Sequence, residues 1–254
     1  MELSTAIVGM LVGFLVGLTG VGGAALLTPI LILIGIQPTV AVGTDLFYNS
    51  ITKLFGGFQH WRQKTVQWKL VGYLAAGSIP GAIVSVGLLK LFEQFFENQE
   101  HFIRSALGVM LVVVAASILL RLFVLKNAKE NKWQGKSLEE KRWITIAIGF
   151  ALGFVVGLTS VGSGSLFAIA LIYLFRLKAS EVVGTDIVHA FFLVTVAGAL
   201  HAGMGNVDYM LALNLLIGSI PGVLLGSRLS AKVPSKPLRA VMATLILLSG
   251  LKLI

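Results

Sequence analysis

The sequence predicts an all-α, polytopic membrane protein made of two repeats, each with five apolar segments. Three observations carry that prediction. The 254 residues are 56% hydrophobic and only 12% charged, whereas a soluble globular domain is about one-quarter charged. The mean hydropathy is +0.92, and the first apolar run extends from Leu3 to Gly35 without a charged residue, the signature of bilayer-spanning segments. Finally, the chain is written twice. "GFLVGLTGVGGAALLTPIL" at 13–31 returns as "GFVVGLTSVGSGSLFAIAL" at 153–171, "VGTD" at 42–45 returns at 183–186, His60 aligns with His201, and "GSIPG" at 77–81 returns at 218–222. Shared apolar composition explains matching Leu and Val but not matching Asp, Pro and His.

The first repeat (1–125) has apolar segments at 3–18, 24–36, 39–58, 70–91 and 103–125. The second (143–254) has them at 143–159, 165–177, 182–202, 208–231 and 238–254. A polar linker, 126–142, joins the two. The first two segments of each repeat fall short of the ~20 residues of a full crossing. They are expected either as a re-entrant hairpin with a Gly-rich tip inside the membrane, or compressed crossings, or as one broken helix that crosses once. The hairpin inverts the second repeat relative to the first; the single crossing leaves the repeats parallel.

Basic residues choose between these, because Lys and Arg collect in cytoplasmic loops. With the linker cytoplasmic (Lys126, Lys129, Lys132, Lys136, Lys141, Arg142), inversion also places Arg62, Lys64, Lys69, Arg176, Lys178 and the cluster at 228–239 inside. Only Lys90, Arg104 and Lys252 then face out, with Lys53 inside a segment. Parallel repeats would move Arg176, Lys178 and the 228–239 cluster outside. Inverted repeats are therefore expected, with both termini on the non-cytoplasmic side of the membrane. No cleavable signal peptide is expected, since no basic start precedes the first apolar run.

The formal net charge of +9 is accounted for by cytoplasmic loops, so the bilayer rather than nucleic acid is the expected partner. There are no cysteines, which excludes disulfides and thiolate chemistry. Four scattered His form no metal signature, no nucleotide fingerprint is present, and no nucleophile–base set marks an enzyme. No metal or cofactor is expected.

Interrupted helices in inverted repeats are an architecture of secondary transporters. A broken helix leaves its first backbone N–H groups without partners, and these, with the helix dipole, make an anion site. Glycine lets the backbone approach such a ligand. The candidate substrate-binding residues are therefore Thr19, Gly20, Val21, Gly22 and Gly23 in the first tip. In the second they are Thr159, Ser160, Val161, Gly162, Ser163, Gly164 and Ser165. By contrast, Gly9, Gly13 and Gly17, like Gly149, Gly153 and Gly157, repeat every four residues and read as helix packing.

Asp45 and Asp186 recur at equivalent places inside their segments, where a carboxylate is expensive. They read either as coupling-proton sites or half-helix caps, or as ordinary N-caps following Thr44 and Thr185. Along the third segment Asp45, Asn49, Thr52 with Lys53, Gly56 and His60 fall at steps of three and four, a polar stripe on an apolar helix. The stripe reads as facing a cavity, with Asn49 and Lys53 drawing an anion, or as a satisfied interhelical network. The second repeat has only Asp186, His189 and His201, with Val194 in place of Lys53 and Ala190 in place of Asn49. Together Asp45, Asp186, His60, His189 and His201 are the coupling candidates. Pro80 and Pro221, inside long segments, are hinge candidates or fixed bends.

The paired "GLTGVGG"-type, "VGTD" and "GSIPG" motifs resemble those of the TauE/SafE sulfite exporter-like (TSUP) transporters of bacterial membranes, and the resemblance covers essentially the whole chain. It implies movement of small sulfur oxyanions or organosulfonates, such as sulfite or sulfoacetate, generally outward. The positions that carry it are Gly20, Gly22 and Gly23, Gly162 and Gly164, and the pairs Thr44–Asp45 and Thr185–Asp186. Ser160, Ser163 and Ser165 stand where the first copy has Gly20, Gly23 and Ala25, so the two tips are expected to contribute unequally. The expected function is proton- or potential-coupled export of a small sulfur-containing anion held between the tips. An importer or channel for another anion, a cation carrier using Asp45 and Asp186, and a non-transport scaffold stand as alternatives. Gly-lined surfaces permit, without requiring, a homodimer.

Overall fold

The computed structural model describes residues 3–19, 24–95, 99–123, 134–230 and 235–254. Every element in them is a helix: α1 (Leu3–Thr19), α2 (Ala24–Leu33), α3 (Pro38–Arg62), α4 (Trp68–Phe95), α5 (Gln99–Phe123), α6 (Arg142–Thr159), α7 (Ser165–Leu174), α8 (Ala179–Gly203), α9 (Tyr209–Ser230) and α10 (Ser235–Leu253). Five helices are long and apolar enough to cross a membrane, in α4, α5, α6, α8 and α9. The polar stripe keeps α3 out of that set despite its 25 residues. Residues 126–133 of the linker lie outside the described residues.

The expectation that both opening segments of each repeat are short holds in the first repeat, where α1 has 17 residues, but in the second only for α7. The helix α6 is a full span, whereas α2 and α7 have 10 residues each, about 15 Å against a hydrocarbon core of about 30 Å. The α6–α7 pair is a hairpin. Leu174, at the end of α7, gives its carbonyl oxygen to the Lys141 ammonium at 3.0 Å, and Lys141 directly precedes α6. The chain thus leaves α7 where it entered α6, which rules out a single broken crossing for this pair. Lys141 is buried and its ammonium lies 4.4 Å from the Phe175 ring centroid, a cation on an aromatic face.

Contacts across the two repeats are reciprocal. The α3–α4 and α8–α9 turns have the same form: Thr65 N–H donates to His60 O at 3.2 Å and Asn206 N–H to His201 O at 3.0 Å. Lys64 and Gly205 both take positive φ, 55° and 78°. Thr44 on α3 accepts from Asp208 N–H at 3.0 Å, and Thr185 on α8 accepts from Gln67 N–H at 3.1 Å. The start of each helix therefore meets the end of the other, so α3 and α8 pack antiparallel, with Leu46 beside Gly198 and Gly57 beside Val188.

Two other interlocking pairs run parallel. Helix α1 packs on α9 and α6 on α4, the glycines of each meeting backbone of the other. A Cβ on Gly13 would strike the Ser219 carbonyl, and one on Gly153 the Ser78 carbonyl; Gly77 and Gly81 face Ile146 and Phe150, as Gly218 and Gly222 face Ala6 and Met10. The four-residue glycine spacing is thus helix packing, as read from the sequence. Both prolines, Pro80 and Pro221, sit inside continuous helices beside these contacts.

The same contacts collect basic loops at one end. Gln67 meets Thr185 and Glu181, the latter at 3.1 Å. Glu139 accepts from the Tyr73 hydroxyl at 2.8 Å and lies 3.6 Å from Lys69; the Tyr73 hydroxyl holds the Glu139 carboxyl below its ordinary range. Arg62, Lys64, Lys69, Lys136, Lys141, Arg142, Arg176 and Lys178 therefore share one end, opposite the 204–208 turn.

Close backbone contact gives a direct prediction. Gly153→Ala inserts a methyl into a backbone carbonyl, an overpacking that costs about 1–3 kcal/mol, and lowers the unfolding temperature of the purified protein by several degrees. Gly72→Ala, on an exposed face of α4 with nothing within 4 Å of the new methyl, leaves it equal or higher. Equal unfolding temperatures for the two variants would contradict the packing.

Candidate functional site

The α6–α7 tip, Ser160–Gly164, lands on the polar stripe of α3. Asp45 is completely buried. Its Oδ2 accepts from the Ser160 hydroxyl at 2.7 Å and from the Thr28 hydroxyl of α2 at 2.6 Å. Its Oδ1 accepts from Asn49 Nδ2 at 2.7 Å, one helical turn along. Three segments of the chain, α2, α3 and the tip that follows α6, are thereby tied to one carboxylate. Three donors suit the ionised form, and charge-assisted bonds of this kind are the stronger ones. The capping alternative fails: α3 begins at Pro38 with Gln37 at the N-cap, and α8 begins at Ala179, so Asp45 and Asp186 both lie well inside their helices.

Two further turns along α3, the half-buried Lys53 donates to Ser163 Oγ at 2.9 Å. Its ammonium lies within electrostatic reach of both carboxylates, Asp186 more strongly than Asp45. Ser163 immediately precedes Gly164, the N-cap of α7, whose cap has no side-chain hydrogen bond. The positive end of the α7 dipole and the Lys53 ammonium therefore face the same place. Opposite this point, His189 of α8 stacks on Phe167 of α7 with ring centroids 4.4 Å apart and shares a 2.8 Å hydrogen bond with Ser78 of α4.

Backbone conformation at the tip is specific. Ser160 adopts φ 60° and Gly162 φ 105°. The left-handed region is costly for a non-glycine residue, and the first copy has Gly20 at the place of Ser160. The serine is retained at that cost where its hydroxyl reaches Asp45. Thr159 turns its hydroxyl back to Val155 O at 2.8 Å and accepts from Val161 N–H at 3.3 Å, so it shapes the turn. Val161 is buried, and Ser165 opens α7.

The sequence-predicted residues divide into those brought together and those held apart. Asp45, Asn49, Lys53, Ser160, Ser163 and His189 form one polar cluster, with Asp186 6% exposed on α8. His60 does not join it. It sits in the last turn of α3, where its Nδ1 lies 2.9 Å from Thr65 Oγ1. His201 is also elsewhere: its Nε2 donates to Gly157 O at 2.9 Å, closing the last turn of α6. Gly20, Val21, Gly22 and Gly23 lie outside the described residues, as does the side chain of Thr19.

Three participants escaped the sequence reading. Thr28 is a single hydroxyl in an apolar helix and gave no signal. Ser78 and Ser219 stood in the open, duplicated in "GSIPG" beside the prolines. Ser78 meets His189, and Ser219 meets Tyr48, the residue of α3 that corresponds to His189. The same structural contact thus carries an imidazole in only one repeat.

Comparison with known proteins agrees with this architecture. Residues 5–253 match the family described as sulfite exporter TauE/SafE. The chain is 62% identical to the probable membrane transporter protein YjnA of Bacillus subtilis (strain 168), over 254 residues that cover all of both chains. It is 28% identical over 249 residues to the probable membrane transporter protein YdhB of the same organism, covering 96% of each chain. It is 26% identical to the probable membrane transporter protein MJ0441 of Methanocaldococcus jannaschii, over 96% of this chain and 92% of the relative. No solved structure matches. With a family match spanning nearly the whole length and a full-length relative, the chain belongs to the TauE/SafE family of membrane transporters.

Proposed function

We propose that the protein is a secondary transporter that exports a small sulfur-containing anion, sulfite or an organosulfonate, across the bacterial cytoplasmic membrane, driven by a proton or other ion gradient or by the membrane potential. The observation that carries the reading is Lys53 on Ser163 at the N-terminus of α7. Lys53 is about 22 Å along a helix about 37 Å long, so the ammonium, the Ser163 hydroxyl and the α7 dipole converge near mid-depth. An oxyanion displacing the Lys53–Ser163 bond would gain a charge, a hydroxyl donor and unbonded backbone N–H groups. The family supplies the substrate class. A monoanion leaving an inside-negative cell gains about 2.3 kcal/mol per 100 mV, which favours the outward direction.

Alternating access in this reading uses inverted repeats. Equivalent helices α3 and α8 packing antiparallel support inversion, because parallel repeats would point them the same way. The basic end then faces the cytoplasm and both termini face out.

Flux in proteoliposomes tests the substrate reading, comparing sulfite, sulfoacetate, taurine, sulfate and chloride with and without a pH gradient. Saturable flux of sulfite or a sulfonate is expected. Lys53→Ala raises the half-saturating concentration at least about tenfold, the loss of one hydrogen bond to a charged group worth about 1.5–3 kcal/mol. Unchanged half-saturation in the variant would argue against Lys53 as an anion ligand.

Orientation is tested separately. The chain has no native cysteine, so Lys136→Cys and Lys252→Cys, both at exposed positions, report without background. An impermeant thiol reagent applied to intact cells labels Lys252→Cys and spares Lys136→Cys. The opposite pattern would reverse the orientation, and labelling of both or neither would defeat a fixed inverted arrangement.

A further inference from the structure

We propose that the Gly-Thr of each VGTD motif is one of two gates of the transporter, docked in this structure on the helix-joining turn of the other repeat, and that the dock on the 204–208 turn opens first. The proposal rests on the transporter reading and adds to it the moving parts on either side of the anion site.

Both docks are built the same way. Gly43 and Thr44 of α3 meet the turn before α9, and Gly184 and Thr185 of α8 meet the turn before α4. A Cβ on Gly43 would strike the Asn206 carbonyl, and one on Gly184 the Thr65 hydroxyl and carbonyl, so only glycine allows the approach. Thr44 and Thr185 are completely buried. Each accepts one backbone N–H of its turn, from Asp208 at 3.0 Å and Gln67 at 3.1 Å.

Their position suits gates. Lys53 lies nine residues after Thr44 and nine before Arg62, the end of α3, about 14 Å from each. One dock therefore closes the α3–α8 pair on either side of the Lys53–Ser163 junction, as alternating access requires of two gates around a central site. The docks are also the slighter joints. Helix α9 is joined to α1, and α4 to α6, by backbone contact at several glycines along their lengths, so each turn is carried by a stiff pair of helices. What ties those pairs to Thr44 and Thr185 is one glycine contact and one or two hydrogen bonds.

The two docks differ in how well their turns are satisfied. In the first repeat His60 Nδ1 lies 2.9 Å from Thr65 Oγ1, whose hydroxyl donates to His60 O at 3.1 Å. The 141-residue offset puts His201 and Asn206 at the same two places, and there the side-chain pair is unmade. His201 turns its Nε2 to Gly157 O, and both His201 Nδ1 and Asn206 Nδ2 are buried without a hydrogen-bond partner among the described residues. A buried polar atom left unpaired carries its full desolvation penalty. Opening the 204–208 dock lets water reach these atoms and recovers that penalty. Opening the other dock recovers nothing of the kind and breaks an additional bond, Gln67 Nε2 to Glu181 at 3.1 Å.

The amides that donate to the two threonines report the opening directly. Hydrogen exchange of the full-length protein in detergent, resolved to single amides by fragmentation, gives the Asp208 N–H a protection factor at least about tenfold below that of Gln67 N–H. In Asn206→Thr, which copies Thr65, protection of Asp208 rises several-fold. Equal protection of the two amides in the wild type, or the reverse order, would overturn the 204–208 dock as the first to open. An Asp208 amide no better protected in Asn206→Thr would overturn Asn206 as the cause. Gating itself is tested in proteoliposomes with the pairs Thr44→Cys with Asp208→Cys and Thr185→Cys with Gln67→Cys, in a chain that has no other cysteine. Dibromobimane joins two adjacent thiols through thioethers, which sulfite does not cleave, and fluoresces once both are joined. Linkage at either dock lowers flux of sulfite, sulfoacetate, taurine or sulfate at least about tenfold, and the single-cysteine variants treated alike keep theirs. Flux retained after linkage, or lost equally in the single variants, would overturn gating by the docks. Absence of flux of every anion in the untreated wild type would defeat the transporter reading, and the exchange measurement would still decide which dock opens.

Discussion

A buried carboxylate organises this protein. Asp45 is fully buried on α3, where an ionised group without donors is costly. Meeting that demand takes a hydroxyl from α2, an amide from α3 itself and a hydroxyl from the α6–α7 tip. The tip is thereby fixed against α3, which in turn sets Ser163 beside Lys53 and the α7 N-terminus beside both. The order matters. The Ser160 N–H closes the last turn of α6 on Val156 O, and the Ser160 hydroxyl on Asp45 sets the start of α7 against the stripe.

The frame around this point is built for close approach. In α1–α9 and α4–α6, glycine lets the backbones touch, so helices gain van der Waals contact that lipid cannot replace. Each pair joins one repeat to the other, so neither repeat is a separate body. The two GSIPG serines extend the frame to the centre, reaching Tyr48 from one side and His189 from the other. A shared scaffold therefore carries different chemistry in its two halves: Tyr48 meets one GSIPG serine and His189 the other, and Lys53 of α3 has Val194 at its place in α8.

Much of this was legible in the sequence because the bilayer imposes strong rules. Apolar runs gave helix boundaries close to those observed, such as 3–18 against Leu3–Thr19 and 143–159 against Arg142–Thr159. Steps of three and four gave the α3 stripe, and serine in place of Gly20 marked the unequal tip. What escaped was tertiary. Thr28 looks like any hydroxyl in an apolar helix until α2 meets α3. His60 and His201 align in the repeats, but each is consumed by its own turn or helix end. Asp45 following Thr44 resembled a cap, but the helix begins at Pro38, seven residues earlier and close to the segment start read at 39.

The central claim is that the Lys53–Ser163 junction is where the anion binds. Ser163→Cys in this cysteine-free chain measures it directly, through the rate of alkylation by iodoacetamide in membranes with and without saturating sulfoacetate, taurine or sulfate. Bound anion should slow alkylation several-fold for at least one of the three. Rates unchanged by all of them would place the substrate elsewhere.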